Sequence, residues 1–120
     1  DLAVVILAVG AVNRTTNEFT ATSSIRYSDR GAVRFSVENR GGKASGPWLF
    51  AAVLPTVPLY TFNSEPQRSL NPGDHIEFTL GFDSIDKNGT GKITVNADPG
   101  NSVSETTEEN NIVSANFVVF

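Results

Sequence analysis

Ile76-Glu77-Phe78-Thr79-Leu80-Gly81-Phe82 sets four large apolar side chains at every second position, with small or polar residues between them. Successive side chains of a strand point to opposite faces, so this run predicts a half-buried strand. The same period recurs along the chain. Val33, Phe35 and Val37 alternate with Arg34, Ser36 and Glu38, and Ile93, Val95 and Ala97 alternate with Lys92, Thr94, Asn96 and Asp98. Val113, Ala115, Phe117 and Val119 repeat it more loosely near the C-terminus. Helical periodicity is weak throughout. Val33, Phe35, Val37, Phe78, Leu80, Ile93, Val95 and Phe117 are therefore expected to share one core.

Working outward, residues 48–54 (WLFAAVL) form a continuous apolar run. It fits a strand covered on both faces, or one near a sheet centre. Pro47 precedes it and Pro55 and Pro58 follow it. Proline cannot donate to a ladder, so 55–58 is expected to be loop or sheet edge. Leu59–Phe62 reads as a short edge strand. Residues 2–12 (LAVVILAVGAV) are too few to span a bilayer, which takes roughly 20 apolar residues, and they lack a basic flank. They read as a buried first strand. Segment 10–31 is rich in Asn, Thr and Ser and reads as either a long loop or an extra edge strand.

Turn-forming residues separate these runs: Asn39-Arg40-Gly41-Gly42, Asn71-Pro72-Gly73-Asp74, the stretch from Asp86 to Gly91, and Asp98-Pro99-Gly100-Asn101. Six or seven short strands spaced in this way predict an all-β, two-sheet antiparallel sandwich in a single domain, residues 1–120. Composition agrees. Of 120 residues, 39 % are hydrophobic and only 18 % charged. The remainder is dominated by uncharged polar residues and glycine, which suit strands and turns better than helices. A net charge of −4 disfavours nucleic acid and anionic membrane as main partners, because both need a basic face. There is no cysteine, hence no disulfide framework and no thiolate metal site. The chain begins at Asp1 and is read as a segment of something longer.

Few residues suggest chemistry. His75, the sole histidine, lies beside Asp74 on a predicted polar strand face, and no Gly-x-Ser-x-Gly elbow accompanies it. No pair of acids stands out for glycoside hydrolysis. The glycine-rich run from Asn39 to Gly46 lacks phosphate-loop spacing and reads as a connection between strands. Catalytic and cofactor-binding residues are expected to be absent. Trp48 is expected to pack across the core, as tryptophan does in many sandwiches. Tyr27 and Tyr60, in or beside loops, are the candidates for ligand contact. Asp86–Ile93 matches the first part of a calcium loop, yet its twelfth position is Ala97 where a bidentate Glu is required. It reads as a tight turn. Two glycan-acceptor sequons occur in predicted loops, Asn13-Arg14-Thr15 and Asn88-Gly89-Thr90.

The stretch from Asp98 to Asn111 is acid- and asparagine-rich. Asp98, Glu105, Glu108 and Asn110 could supply oxygen ligands to calcium. The reading taken is structural: Asp98, Asn101, Glu105, Asn110 and Asn111 bond backbone groups of a long connection while Val103 tucks toward the core.

This stretch also resembles the closing signature of the CARDB family (cell adhesion related domain found in bacteria), roughly D-P-x-N-x-V-x-E-x-N-E-x-N-N. Asp98, Pro99, Asn101, Val103, Glu105, Glu108, Asn110 and Asn111 match it, with Thr107 where Asn is common. Val33–Gly41 is similar to the family's alternating strand ending in N-x-G, and Leu70–Asp74 to its L-x-P-G turn. The resemblance covers nearly the whole chain, starting at Asp1-Leu2. Residues 10–31 and 84–90 are longer than the family norm. It implies a seven-stranded sandwich like those of immunoglobulin or fibronectin III domains, found in bacterial and archaeal surface or secreted proteins. It implies no catalytic residue and no fixed ligand. The expected function is a non-catalytic adhesion or spacer module whose partners are neighbouring domains of its own chain. A carbohydrate-binding accessory domain of a secreted hydrolase, stacking sugars on Tyr27, Tyr60 or Trp48, is the alternative.

Overall fold

The computed structural model describes residues 2–26, 28–56, 59–83, 90–97 and 112–119. Nine strands are present among them and no helix: β1 (Leu2–Val12), β2 (Phe19–Ala21), β3 (Ser24–Ile25), β4 (Arg30–Asn39), β5 (Phe50–Leu54), β6 (Tyr60–Asn63), β7 (His75–Phe82), β8 (Thr90–Ala97) and β9 (Ile112–Val119). They form two sheets, β2-β1-β4-β7 and β3-β9-β8-β5-β6. All pairs are antiparallel except β3 with β9, which runs parallel and departs from the expected all-antiparallel arrangement. Segment 10–31 resolves into both of its readings. It extends β1, turns, adds the edge strand β2 to the first sheet, and then crosses to place β3 on the edge of the second.

The alternation works as its chemistry dictates. Val33, Phe35 and Val37 of β4 face Ile93, Val95 and Ala97 of β8 across one core, joined by Phe50, Ala52, Trp48 and Phe117. Phe35 lies at its centre, edge-on to Phe50 (5.3 Å, 79°) and stacked on Phe78 (5.3 Å, 26°). At one end of the sandwich, rings on neighbouring strands occupy the space that a Cβ would take at two glycines. Phe82 covers its cross-strand partner Gly31, and Phe117 covers Gly91. The two rings then meet across the sheets at 6.0 Å.

Two expectations need correction and a third resolves between its alternatives. Phe78 and Leu80, placed in the core by their alternation, are packed against it yet only partly buried. The reason is that β7 is an edge strand of its sheet. Phe78→Ala should consequently cost about 2 kcal/mol, below the 3–5 kcal/mol of a fully enclosed phenylalanine. Urea unfolding measures this directly, and a loss above 4 kcal/mol would mean the edge is covered in solution. Of the two readings of the run 48–54, the strand near a sheet centre holds, since β5 lies between β8 and β6, and cover on both faces does not. The strand starts at Phe50, and Val53 on the outer face is exposed. Strand β1 is also not buried throughout. A bulge between Ile6 and Ala8 reverses its parity, so the inward set is Leu2, Val4 and Ile6 before it, and Val9 and Ala11 after it. Leu7, the extra residue, is left 49 % exposed and Val5 38 %.

Candidate functional site

The ladder registers fix which loops share a pole of the sandwich. β1 starts opposite the end of β4 (Leu2 with Asn39), and β7 starts beside that same end (Glu38 with His75). β8 and β9 are oriented by the Phe82–Phe117 contact, which brings Gly31, Phe82, Gly91 and Phe117 together at the other pole. The first pole therefore carries Leu2, the loops 40–49 and 64–74, the end of β8 and the start of β9. The second carries the β1–β2 turn, Arg30, Asp83, the start of β8 and Val119.

The first pole is built around Asn39, the one buried polar residue among the described residues. Its Nδ2 donates to the carbonyls of Lys43 and Leu70, both at 2.8 Å, and its Oδ1 accepts from the Gly41 amide at 2.9 Å. Its backbone is engaged as well. Asn39 N–H donates to the Asp74 carbonyl (2.9 Å), and its carbonyl accepts from Gly73 (2.8 Å). Pro72 and Gly73 make the turn that allows this. Pro72 supplies a fixed φ, Gly73 takes φ 84°, and Asp74 N–H closes onto Asn71 at 3.0 Å. Ser45 continues the zipper, its amide donating to Leu70 O at 2.9 Å and its Oγ accepting from Leu70 N–H at 3.0 Å. Trp48 completes it, donating from Nε1 to Arg68 O at 3.0 Å while its ring packs edge-on to Phe78.

Trp48 is therefore a core residue, as expected, and it presents no free face for a sugar. The Asn39–Gly46 loop serves as a connection between strands, clamped to the 64–74 loop through Asn39 and Ser45. His75 is exposed, 3.9 Å from Glu77, and no hydroxyl among the described residues hydrogen-bonds to it. Beside it lies an open cleft of about 360 Å³ lined by Arg68, Ser69, Leu70, Asn71, Asp74, His75 and Ile76. The cleft holds no aromatic platform. Tyr60 is 56 % exposed on edge strand β6, with Leu59 bare beside it. Tyr27, the Asp86–Asn88 turn, and Asp98, Asn101, Val103, Glu105, Glu108, Asn110 and Asn111 lie outside the described residues. Among the described residues no three His, Asp or Glu side chains gather as a metal site would require. Nor is any helix among them long and apolar enough to cross a membrane.

Sequence reasoning missed two features. The Asn39 clamp left a partial signal, an Asn-x-Gly at a strand end and a Pro-Gly turn, without a reason to join them. The other is Asp83 at the second pole, whose Oδ1 lies 3.2 Å from Arg14 and 3.3 Å from Arg30. All three side chains are substantially exposed, so this cluster contributes little to stability.

The family model for CARDB matches residues 7–115. The chain is similar to the CARDB domain of a Pyrococcus furiosus protein, whose crystal structure is in complex with di-metal ions. That similarity covers 99 % of this chain and 92 % of that one, at 19 % identity and a TM-score of 0.70. A domain of an inferred cell-surface protein from Methanosarcina acetivorans is also similar, at 20 % identity and a TM-score of 0.61, over 82 % of this chain and 83 % of that one. The same sandwich occurs within a β-glucosidase from Listeria innocua, where it corresponds to 16 % of the enzyme and covers 99 % of this chain, at 11 % identity and a TM-score of 0.58. At these identities the likenesses establish the fold alone. No curated protein matches the chain.

Proposed function

The chain belongs to the CARDB family, and from that premise we propose that it is a non-catalytic extracellular module of a prokaryotic surface or secreted protein, holding neighbouring domains apart. The observation that carries this reading is the path of the chain. The first strand starts at the pole of Asn39 and the last strand ends at the opposite pole, beside Phe82. The domain measures 44 × 26 × 21 Å. An eleven-residue strand such as β1 spans about 36 Å, so the strands run along the long axis. A module of this kind joins its neighbours end to end instead of folding them back on each other. Its pole loops and edge strands are then the surfaces open to a protein partner. We read the Asp98–Asn111 connection as structural rather than as a ligand site.

Tension applied at the two ends would run along the strands. β1 is paired with β4 from Leu2 to Val12, so pulling loads those hydrogen bonds in shear, together, and not one by one as in peeling. Single-molecule stretching of the domain should show one cooperative unfolding event, lengthening the chain by about 350–400 Å. Gradual extension without a force peak would refute the spacer reading, since a spacer must hold its length under load.

A further inference from the structure

We propose that Asn13 is an acceptor for an N-linked glycan, displayed at the turn between β1 and β2. The sequon Asn13-Arg14-Thr15 lies wholly within that turn, and every residue from 13 to 18 is exposed. The side chain of Asn13 is held by its oxygen alone. Oδ1 accepts from the amides of Thr15 at 2.8 Å and Thr16 at 3.0 Å. No described residue accepts from Nδ2. The backbone of the turn is fixed as well, with Asn13 N–H on Glu18 O (3.0 Å) and Asn17 N–H on Asn13 O (2.7 Å). The middle residue of the sequon ties the turn to the body of the domain, because Arg14 Nε donates to Ser28 O at 2.8 Å and its guanidinium meets Asp83.

This arrangement suits the chemistry of transfer. An amide nitrogen is a poor nucleophile because its lone pair is delocalised onto the carbonyl oxygen. Two N–H donors on Oδ1 stabilise the negative charge that builds there as Nδ2 gives up a proton, as donors do at any developing oxyanion. The donor required is an oligosaccharide on a polyprenyl pyrophosphate. A bond forms from Nδ2 to the anomeric carbon, and the bond from that carbon to the pyrophosphate oxygen breaks. The lipid pyrophosphate leaves with the electron pair, and the Nδ2 proton passes to a base of the transferase. A glycan here would also stand at the head of β2, whose outer edge is otherwise open to pairing with another chain.

The proposal rests on the extracellular reading only for access to a transferase, which an assay in vitro supplies separately. The folded protein is incubated with a purified single-subunit oligosaccharyltransferase that requires only Asn-x-Ser/Thr, together with its lipid-pyrophosphate oligosaccharide. Intact mass and peptide mapping then locate the product. Wild type and Asn88→Gln should both gain one oligosaccharide at Asn13. Thr15→Ala and Asn13→Asp should lose about 90 % or more of that product. Asn13→Asp keeps an oxygen acceptor for both turn amides, so it should unfold at the wild-type urea concentration, which separates loss of the acceptor from loss of the fold. No transfer to Asn13, or transfer only after denaturation, would overturn the proposal. Either failure leaves the stretching result untouched, so the two readings fall independently.

Discussion

Truncating Phe35 to alanine is expected to lower the unfolding free energy by about 4 kcal/mol. The ring is fully enclosed on β4, an interior strand of its sheet, and it touches the aromatic groups of both sheets at once. Phe50 and Phe78 contact it and each other, their own centroids 4.6 Å apart, and Phe62 leans on Phe50 at 6.0 Å. Removing the ring loses the transfer free energy of its buried surface. It also leaves a void that the rigid strands around it cannot close. The total stability of a domain this size is about 6–18 kcal/mol, so this one change removes a large share. Phe35→Leu, which keeps most of the volume, should cost less than half as much. Urea unfolding followed by the fluorescence of Trp48, the single tryptophan, measures both. A loss below about 1 kcal/mol for Phe35→Ala would place the centre of the core elsewhere.

The contrast between Phe35 and Phe78 shows what the sequence conveys and what it withholds. Both are phenylalanines in alternating strands, and alternation assigns each to the inner face. Depth is another matter. It depends on which strands lie on either side, and that order is set by pairings between residues far apart in the chain. β4 is flanked by β1 and β7, whereas β7 has a neighbour on one side only. The bulge at Leu7 was hidden for a different reason. In a run such as LAVVILAVGAV no polar residue marks the outer face, so a one-residue change of parity leaves no trace. β2 and β3 escaped because strands of three and two residues carry too few side chains to show a period.

The same limit governs the poles. Trp48 could be placed in the core because a large ring at the head of an apolar run has few other places to go. Asn39 could not be separated from an ordinary turn asparagine, since its partners at Leu70 and Asp74 are more than thirty residues away. Asp83 was likewise invisible, as its two arginines come from the β1–β2 turn and the start of β4. A polar side chain's role is set by what lies opposite it, and that is long-range information. The apolar pattern is local, which is why the sandwich was readable and the clamp was not.

Asn39→Ala is expected to destabilise the domain by about 3 kcal/mol, a large effect for a polar residue. Three side-chain hydrogen bonds vanish together, each worth about 1 kcal/mol net, two of them at the part-buried rim where Lys43 and Gly41 lie and one to the buried Leu70 carbonyl. The Leu70 carbonyl keeps its bond from Ser45, so the loss comes from the three bonds themselves and from the enclosed space that the Asn39 side chain leaves. Asn39→Asp is the sharper test, because the shape is unchanged. It replaces a donor with an acceptor facing two carbonyl oxygens, each at the 2.8 Å that Nδ2 now holds. Burial and those facing oxygens disfavour the charged carboxylate, so the folded state would raise the pKa of the introduced carboxyl group above its unfolded value. The sign follows from linkage. The folded form binds the proton more tightly, so the deficit is smallest in acid and widens as the pH rises toward neutrality. Urea midpoints of wild type and both variants, taken from about pH 3.5 to 7, would show the aspartate variant tracking close to the alanine variant in acid and falling below it at neutral pH. A pH-independent gap between Asn39→Asp and wild type, or a loss under about 1 kcal/mol for Asn39→Ala, would mean that the two loops hold together without Asn39.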